Sequence, residues 1–165
     1  MVEVTDKEGV LLAAHGTFPW DFIKKNPRLW SKHEENLSRL MDTLLEWPRT
    51  PQNDPHWFEM KTLAEIFKKK TKEPIVEPAF MFATRPTIVD SIRSAVEQGA
   101  QKIIGVPPFI NVGPHTLMDI PKQFESAKRA FPDIEMVYYP PPYDMDDMAD
   151  LLLNTIKKFK NPMRW

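Results

Sequence analysis

The chain has 165 residues, 42 % of them hydrophobic and 27 % charged, which suits one packed domain of ordinary soluble composition. A formal net charge of -1 gives no basic footprint for nucleic acid, and the lack of cysteine excludes disulfides, thiolate metal sites and cysteine nucleophiles. The polar start M-V-E-V-T-D-K-E does not read as a signal peptide, and no apolar run nears the ~20 residues that cross a bilayer. A cytoplasmic protein with no membrane partner is expected.

The first element is the apolar run Val10–Ala14, the pattern of a strand buried on both faces. Residues 18–31, F-P-W-D-F-I-K-K-N-P-R-L-W-S, read as an ordered loop with one helical turn. Leu37, Leu40, Met41, Leu44 and Leu45 recur at helical spacing within 32–47, and W-P-R-T-P-Q-N-D-P then breaks that helix. Helical periodicity resumes over 56–70, with Asp54 as its cap, Pro55 at its first position and Lys68–Lys70 at its carboxyl end. A second strand is predicted over 75–82, then a helix ending at Gly99, a third strand over 102–110, and a helix over 120–131 capped by Asp119. A fourth strand over 135–139 and an amphipathic helix over 144–159 complete the chain; the carboxylates of D-M-D-D-M-A-D suit that helix's positive amino end. The alternation predicts one α/β domain over 1–165, a four-stranded parallel sheet between helix layers.

In such sheets ligands bind beyond the carboxyl ends of the strands. His15 stands at the end of the first strand, in V-L-L-A-A-H-G-T. His115 lies in the loop that leaves the third strand, V-P-P-F-I-N-V-G-P-H-T-L-M-D-I-P. The topology can bring both to one crevice, and neutral imidazoles suit divalent Co, Ni, Fe and Zn. His33 and His56 sit at helix starts and are left out of the site.

Those stretches, together with V-E-P-A-F-M-F-A-T-R-P-T-I (76–88), resemble the small ATP-independent tetrapyrrole chelatases. These are the sirohydrochlorin cobaltochelatases and ferrochelatases of cobalamin and siroheme synthesis. The specific element is G-x-H-x-x-x-D-I-P; the likeness covers the first strand and then most of the chain from about Ile75 onward. The resemblance implies a flavodoxin-like, three-layer half of the chelatase fold that pairs as a homodimer. It further implies that His15 and His115 bind a divalent ion, Co2+, Fe2+ or Ni2+, which is inserted into a sirohydrochlorin-type tetrapyrrole with no nucleotide. An ion held by few ligands can pass to four pyrrole nitrogens. Two pyrrole protons must leave, which calls for a base. Imidazole, ionising near about pH 6.5 when free, can hold an ion or accept a proton, so metal capture and proton removal compete.

The pattern departs from the family in two places. Phe82 stands where the family usually has a carboxylate at the end of the second strand, and Arg85 replaces another position that is often acidic. Glu77 lies too near the strand's start to substitute, and Asp21, close to His15 in sequence, reads as a turn or cap residue. The helix over 56–70 is an addition to the small family members. Trp20, whose loop follows His15, is the best aromatic wall for a macrocycle; Trp30, Trp47 and Trp57 are further candidates, with Trp57 read as core. Arg85 and Arg28 are candidates to pair with the macrocycle's carboxylates. The loss of the carboxylate at Phe82 favours an alternative, a metal- or heme-like tetrapyrrole-binding protein without turnover. A hydrolase using His15 and Thr17 is a third reading, lacking a phosphate loop or a stronger nucleophile.

Overall fold

A computed structural model describes residues 8–27, 37–71, 75–109, 111–141 and 144–158. In chain order the elements are β1 (Glu8–Ala14), α1 (Trp20–Lys25), α2 (Leu37–Leu45), α3 (Pro55–Thr71), β2 (Val76–Phe80), α4 (Ile88–Glu97), β3 (Lys102–Val106), a π-helical turn (His115–Asp119), α5 (Ile120–Ala130), β4 (Glu135–Tyr138) and α6 (Met145–Lys158). The strands form one parallel sheet in the order β2-β1-β3-β4. This is the four-stranded α/β arrangement the sequence predicts.

The apolar run of β1 lies at the sheet's centre, and its alternation splits between two cores. Leu11 and Ala13 point into a cluster with Ile88, Ile92, Ile120 and Phe124 from α4 and α5. Val10, Leu12 and Ala14 face Met60 and Ala64 of α3. Right-handed crossovers explain the split, since the chain moves one way along the sheet from β1 to β2 and the other way from β2 to β4. Each fully buried large aliphatic residue in these layers contributes roughly 1.5–3 kcal/mol.

Punctuation residues set the element ends. Pro78 is tolerated within β2 because that strand is an edge. The second strand stops at Phe80, short of the expected 82, because the chain doubles back: Phe80 N–H donates to Pro86 O, and Ala83 takes a left-handed φ of 58°. The third strand stops at Val106, short of 110, since Pro107 and Pro108 have no N–H for the ladder. Gly105 lets Phe124 approach closely; a Cβ there would stand 2.5 Å from the Phe124 ring. Residues 28–36 lie outside the described residues, so the start of the 32–47 helix, His33, Arg28 and Trp30 are not placed. Among the described residues no helix is long and apolar enough to cross a membrane.

Candidate metal site at the carboxyl ends of the strands

His15 follows the last residue of β1 and is half-buried. The glycine beside it is a packing requirement: a Cβ at Gly16 would stand 1.7 Å from the Phe82 carbonyl oxygen and 2.6 Å from Thr84 Oγ1. The turn after β1 therefore passes directly under the loop after β2. The His15 ring stacks on Phe109 (centroids 5.5 Å apart, planes at 16°) and on His56 (4.7 Å, 17°). Phe82 is a third ring neighbour at 6.4 Å, so the position expected to carry a carboxylate presents an apolar ring to His15. His15 Nδ1 lies 3.0 Å from Gly16 O, and His56 Nε2 lies 3.2 Å from His15 O. A carbonyl oxygen only accepts, so in each contact the ring nitrogen donates. That leaves Nε2 of a neutral His15 with its lone pair.

Beneath the His-Gly-Thr turn is a buried polar network supplied by the break between α2 and α3. Thr17 Oγ1 donates to Asp54 Oδ1 at 2.6 Å, and Thr17 N–H donates to Thr84 Oγ1 at 3.0 Å. The Arg49 guanidinium pairs with Asp54 and donates to the carbonyls of Thr17, Ala83 and Leu44. Arg49 and Asp54 side chains are only 5 % and 1 % exposed. Asp54 also accepts from Trp57 N–H, the helix-capping role predicted for it. With Thr17's hydroxyl committed to Asp54, it is not poised beside His15 as a nucleophile.

His115 opens the π-helical turn that leads into α5. Thr116 fixes this turn: its hydroxyl donates to Gly113 O and accepts from Gly113 N–H, both at 3.0 Å, while Tyr138 Oη donates to Thr116 O at 2.9 Å. Asp119 does not cap α5 with its side chain, contrary to the sequence expectation. The helical path already runs through His115–Asp119, so Asp119 has helical dihedrals (φ -74°, ψ -45°) and its side chain is free to turn back. Asp119 Oδ2 accepts from His115 Nδ1 at 2.8 Å. A carboxylate on one imidazole nitrogen, with the other nitrogen open, is the arrangement that orients metal-binding histidines and raises their basicity.

The two histidines share one cleft. A cavity of about 430 Å3 is lined by both, with Phe109, Asn111, Pro114 and Thr116 among the other walls. Neither Trp20 nor Arg85 lines it. Trp20 begins α1 and is 65 % exposed. Arg85 pairs with Glu46 (2.9 Å) and Asp90 (2.7 Å), which raise its guanidinium pKa, the Glu46 hydrogen bond first. Asp21 accepts from Trp47 Nε1 at 3.2 Å and from Phe22 N–H, so it is a structural acceptor. Trp57 packs half-buried against the β1–β2 core, as expected, with Lys61 Nζ 4.5 Å from its ring centroid. Among the described residues no three His, Asp or Glu side chains gather as one ion-binding group. The sequence places His56 outside the site, and in the structure its ring stacks on His15 without lining the cleft; the contact of Asp119 with His115 was not part of the sequence expectation. For Asp119 the spacing of four from His115 was the available signal.

The chain is 47 % identical over 60 residues to a sirohydrochlorin cobaltochelatase of Methanocaldococcus jannaschii, covering 36 % of this chain and 42 % of that protein. It is 35 % identical over 82 residues to a chloroplastic sirohydrochlorin ferrochelatase of Arabidopsis thaliana, covering 50 % and 36 %. The alignments thus span less than half the length of these relatives. Among solved structures, SirB from Bacillus subtilis with Fe3+ shares the fold at a TM-score of 0.62 and 19 % identity, over 94 % of this chain and 48 % of that one. A CbiX protein of Marinobacter aquaeolei VT8 matches at a TM-score of 0.58 and 16 % identity, over 92 % and 95 %. Residues 53–159, which carry the third-strand loop, His115 and Asp119, match the CbiX family model, and the chain belongs to the CbiX family.

Proposed function

We propose that the protein inserts a divalent metal ion, Co2+, Fe2+ or Ni2+, into a sirohydrochlorin-type tetrapyrrole without a nucleotide, working in the cytoplasm as a homodimer. The observation that carries the reading is that His15 and His115 line one cleft, each with Nδ1 engaged and Nε2 open. Family membership and the sirohydrochlorin chelatases among its relatives support the substrate class.

The chemistry follows from the donor count. Two neutral imidazoles and water hold the ion loosely enough for four pyrrole nitrogens to displace them. As the ion moves into the macrocycle, two pyrrole N–H protons leave. The vacated Nε2 atoms of His15 and His115 are the bases nearest the ion's path, so they accept what the missing carboxylate would take. Proton uptake and ion capture use the same lone pairs, so affinity for the ion weakens as the solution becomes more acidic.

A second reading, a tetrapyrrole- or metal-binding protein without turnover, is favoured by Phe82 at 6.4 Å from His15. One experiment separates the two. Sirohydrochlorin and Co2+ are mixed with and without the protein, and the visible spectrum is followed. Accelerated insertion supports the chelatase; a shifted, stable spectrum supports the binder. In parallel, His15→Ala and His115→Ala are each expected to weaken Co2+ binding at least tenfold by calorimetry, because each removes half of the donor set. Unchanged affinity in both variants overturns the site.

A further inference from the structure

One residue outside the cleft touches His15 twice. The last ladder bond of β1 is at Ala14, whose carbonyl accepts from Met81 N–H at 2.8 Å. The next carbonyl belongs to His15, and His56 Nε2 donates to it at 3.2 Å. The same imidazole stacks on the His15 ring, with centroids 4.7 Å apart and planes at 17°. A single side chain therefore restrains both the backbone and the ring of His15. Phe109, in the segment after β3, adds a second near-parallel ring, and the bond from Nδ1 to Gly16 O adds a tie at the ring's edge.

His56 is itself firmly placed. It stands in the first turn of α3, between Asp54 and Trp57, and is half-buried. Asp54 is almost fully buried, pairs with Arg49 and accepts from Trp57 N–H at 3.0 Å. Trp57 Nε1 donates to Arg85 O at 3.2 Å, tying the same turn to the loop after β2. Phe80, fully buried at the end of β2, meets the His56 ring edge-on at 6.3 Å. The first turn of a helix ordinarily favours an anionic side chain; here an imidazole turned onto His15 occupies it.

We propose that His56 is a positioning residue for metal capture, holding the His15 imidazole with Nε2 open to the cleft before an ion arrives. The inference rests on the function proposed above, in which His15 and His115 hold the ion. His56 is no part of the donor set, since it does not line the cleft. Its effect is pre-organisation. An imidazole that samples several orientations binds an ion only in the fraction that presents Nε2, and apparent affinity falls by that fraction. An unrestrained ring has roughly six orientations, three about χ1 and two about χ2, which bounds the effect near about sixfold.

The test is a double-mutant cycle read by Co2+ calorimetry on the full chain, with no tetrapyrrole present. His56→Ala removes both ring and donor, and it is expected to weaken Co2+ binding about fivefold. In a His15→Ala background the same change should have no further effect, because no ring is left to hold; in a His115→Ala background the loss should persist. A loss of equal size in the His15→Ala background places the action of His56 elsewhere and overturns the inference. Imidazole nitrogen NMR of the metal-free protein gives a second readout, which loss of stability alone would not move. One His15 tautomer, with the proton on Nδ1, is expected in the wild type and a mixture in His56→Ala; a single unchanged tautomer overturns the inference. His56→Leu fills the space against Phe80 with neither ring nor donor, and it repeats the cycle should His56→Ala not fold. If His15→Ala weakens binding and neither His56 variant does, this inference fails and the site stands. Unchanged affinity in His15→Ala overturns both.

Discussion

Asp119 holds the Nδ1 side of His115 at 2.8 Å, and the contact is half open to water. Asp119→Asn keeps the shape and removes the charge. Losing such a partner typically costs about 10–100-fold in metal affinity. The expected outcome is a Co2+ dissociation constant at least tenfold higher by calorimetry, with an unchanged melting temperature. The reverse pattern, a lower melting temperature and unchanged affinity, would mark a helix cap instead. The sequence invites that other reading, because an aspartate before Ile-Pro is a strong helix-start signal. In the structure the side chains four residues apart meet within the π-helical turn through His115–Asp119. His56 was hidden for a different reason. It lies 41 positions from His15 and follows a proline, so no local pattern links the two rings. The shared cleft of His15 and His115 was legible because one follows β1 and the other lies in the segment after β3, and parallel topology brings these segments to one side of the sheet.

Helix α4 shows what a few residues at an element's end decide. Thr87 Oγ1 accepts from Asp90 N–H, and Asp90 in turn accepts from Thr87 N–H and from Arg85. Burial opposes the charge on Asp90, but the hydrogen bonds from Thr87 and the Arg85 guanidinium outweigh it and hold the carboxyl below its ordinary value of 3.8. A depressed folded pKa means the carboxylate adds stability above the unfolded pKa, and that stability is lost as pH falls through the folded pKa. Asp90→Asn should therefore cost about 0.5–2 kcal/mol at pH 7 and flatten the fall in stability between pH 5 and pH 2, roughly the range over which such carboxylates titrate. Urea denaturation at several pH values checks this; an unchanged pH dependence would show that Asp90 contributes nothing as an anion. Element identity was readable from period and punctuation at β1, α3 and α5. Element ends were less so. The prolines at 107 and 108 carry the signal that ends β3, but the early end of β2 depends on a backbone reversal at Ala83 that no residue type there announces.

At the scale of the whole molecule, the segment between α2 and α3 looks in the sequence like a spacer, rich in proline and poor in pattern. In the fold it is the joint where three separate parts of the chain meet. Arg49 reaches the carbonyls of Thr17 after β1, Ala83 after β2 and Leu44 at the end of α2. Asp54 holds the Arg49 charge, the Thr17 hydroxyl and the first turn of α3 together. Both side chains are almost fully buried, so neither charge can fall back on water. Such a pair stabilises little against an apolar replacement of both members, yet removing one member leaves a buried charge uncompensated and costs about 3–5 kcal/mol. Arg49→Leu and Asp54→Leu should each fall in that range by urea denaturation, a large share of the ~5–15 kcal/mol a domain possesses. The double variant should be much less damaging than the sum, because the second change removes the orphan left by the first. Simple additivity would mean that the two side chains act independently. The double variant also bears on His15, since it cuts the ties that seat the His-Gly-Thr turn beneath Phe82. A folded double variant with weakened Co2+ affinity would show that the segment between α2 and α3 positions the proposed metal site, and unchanged affinity would confine its role to stability.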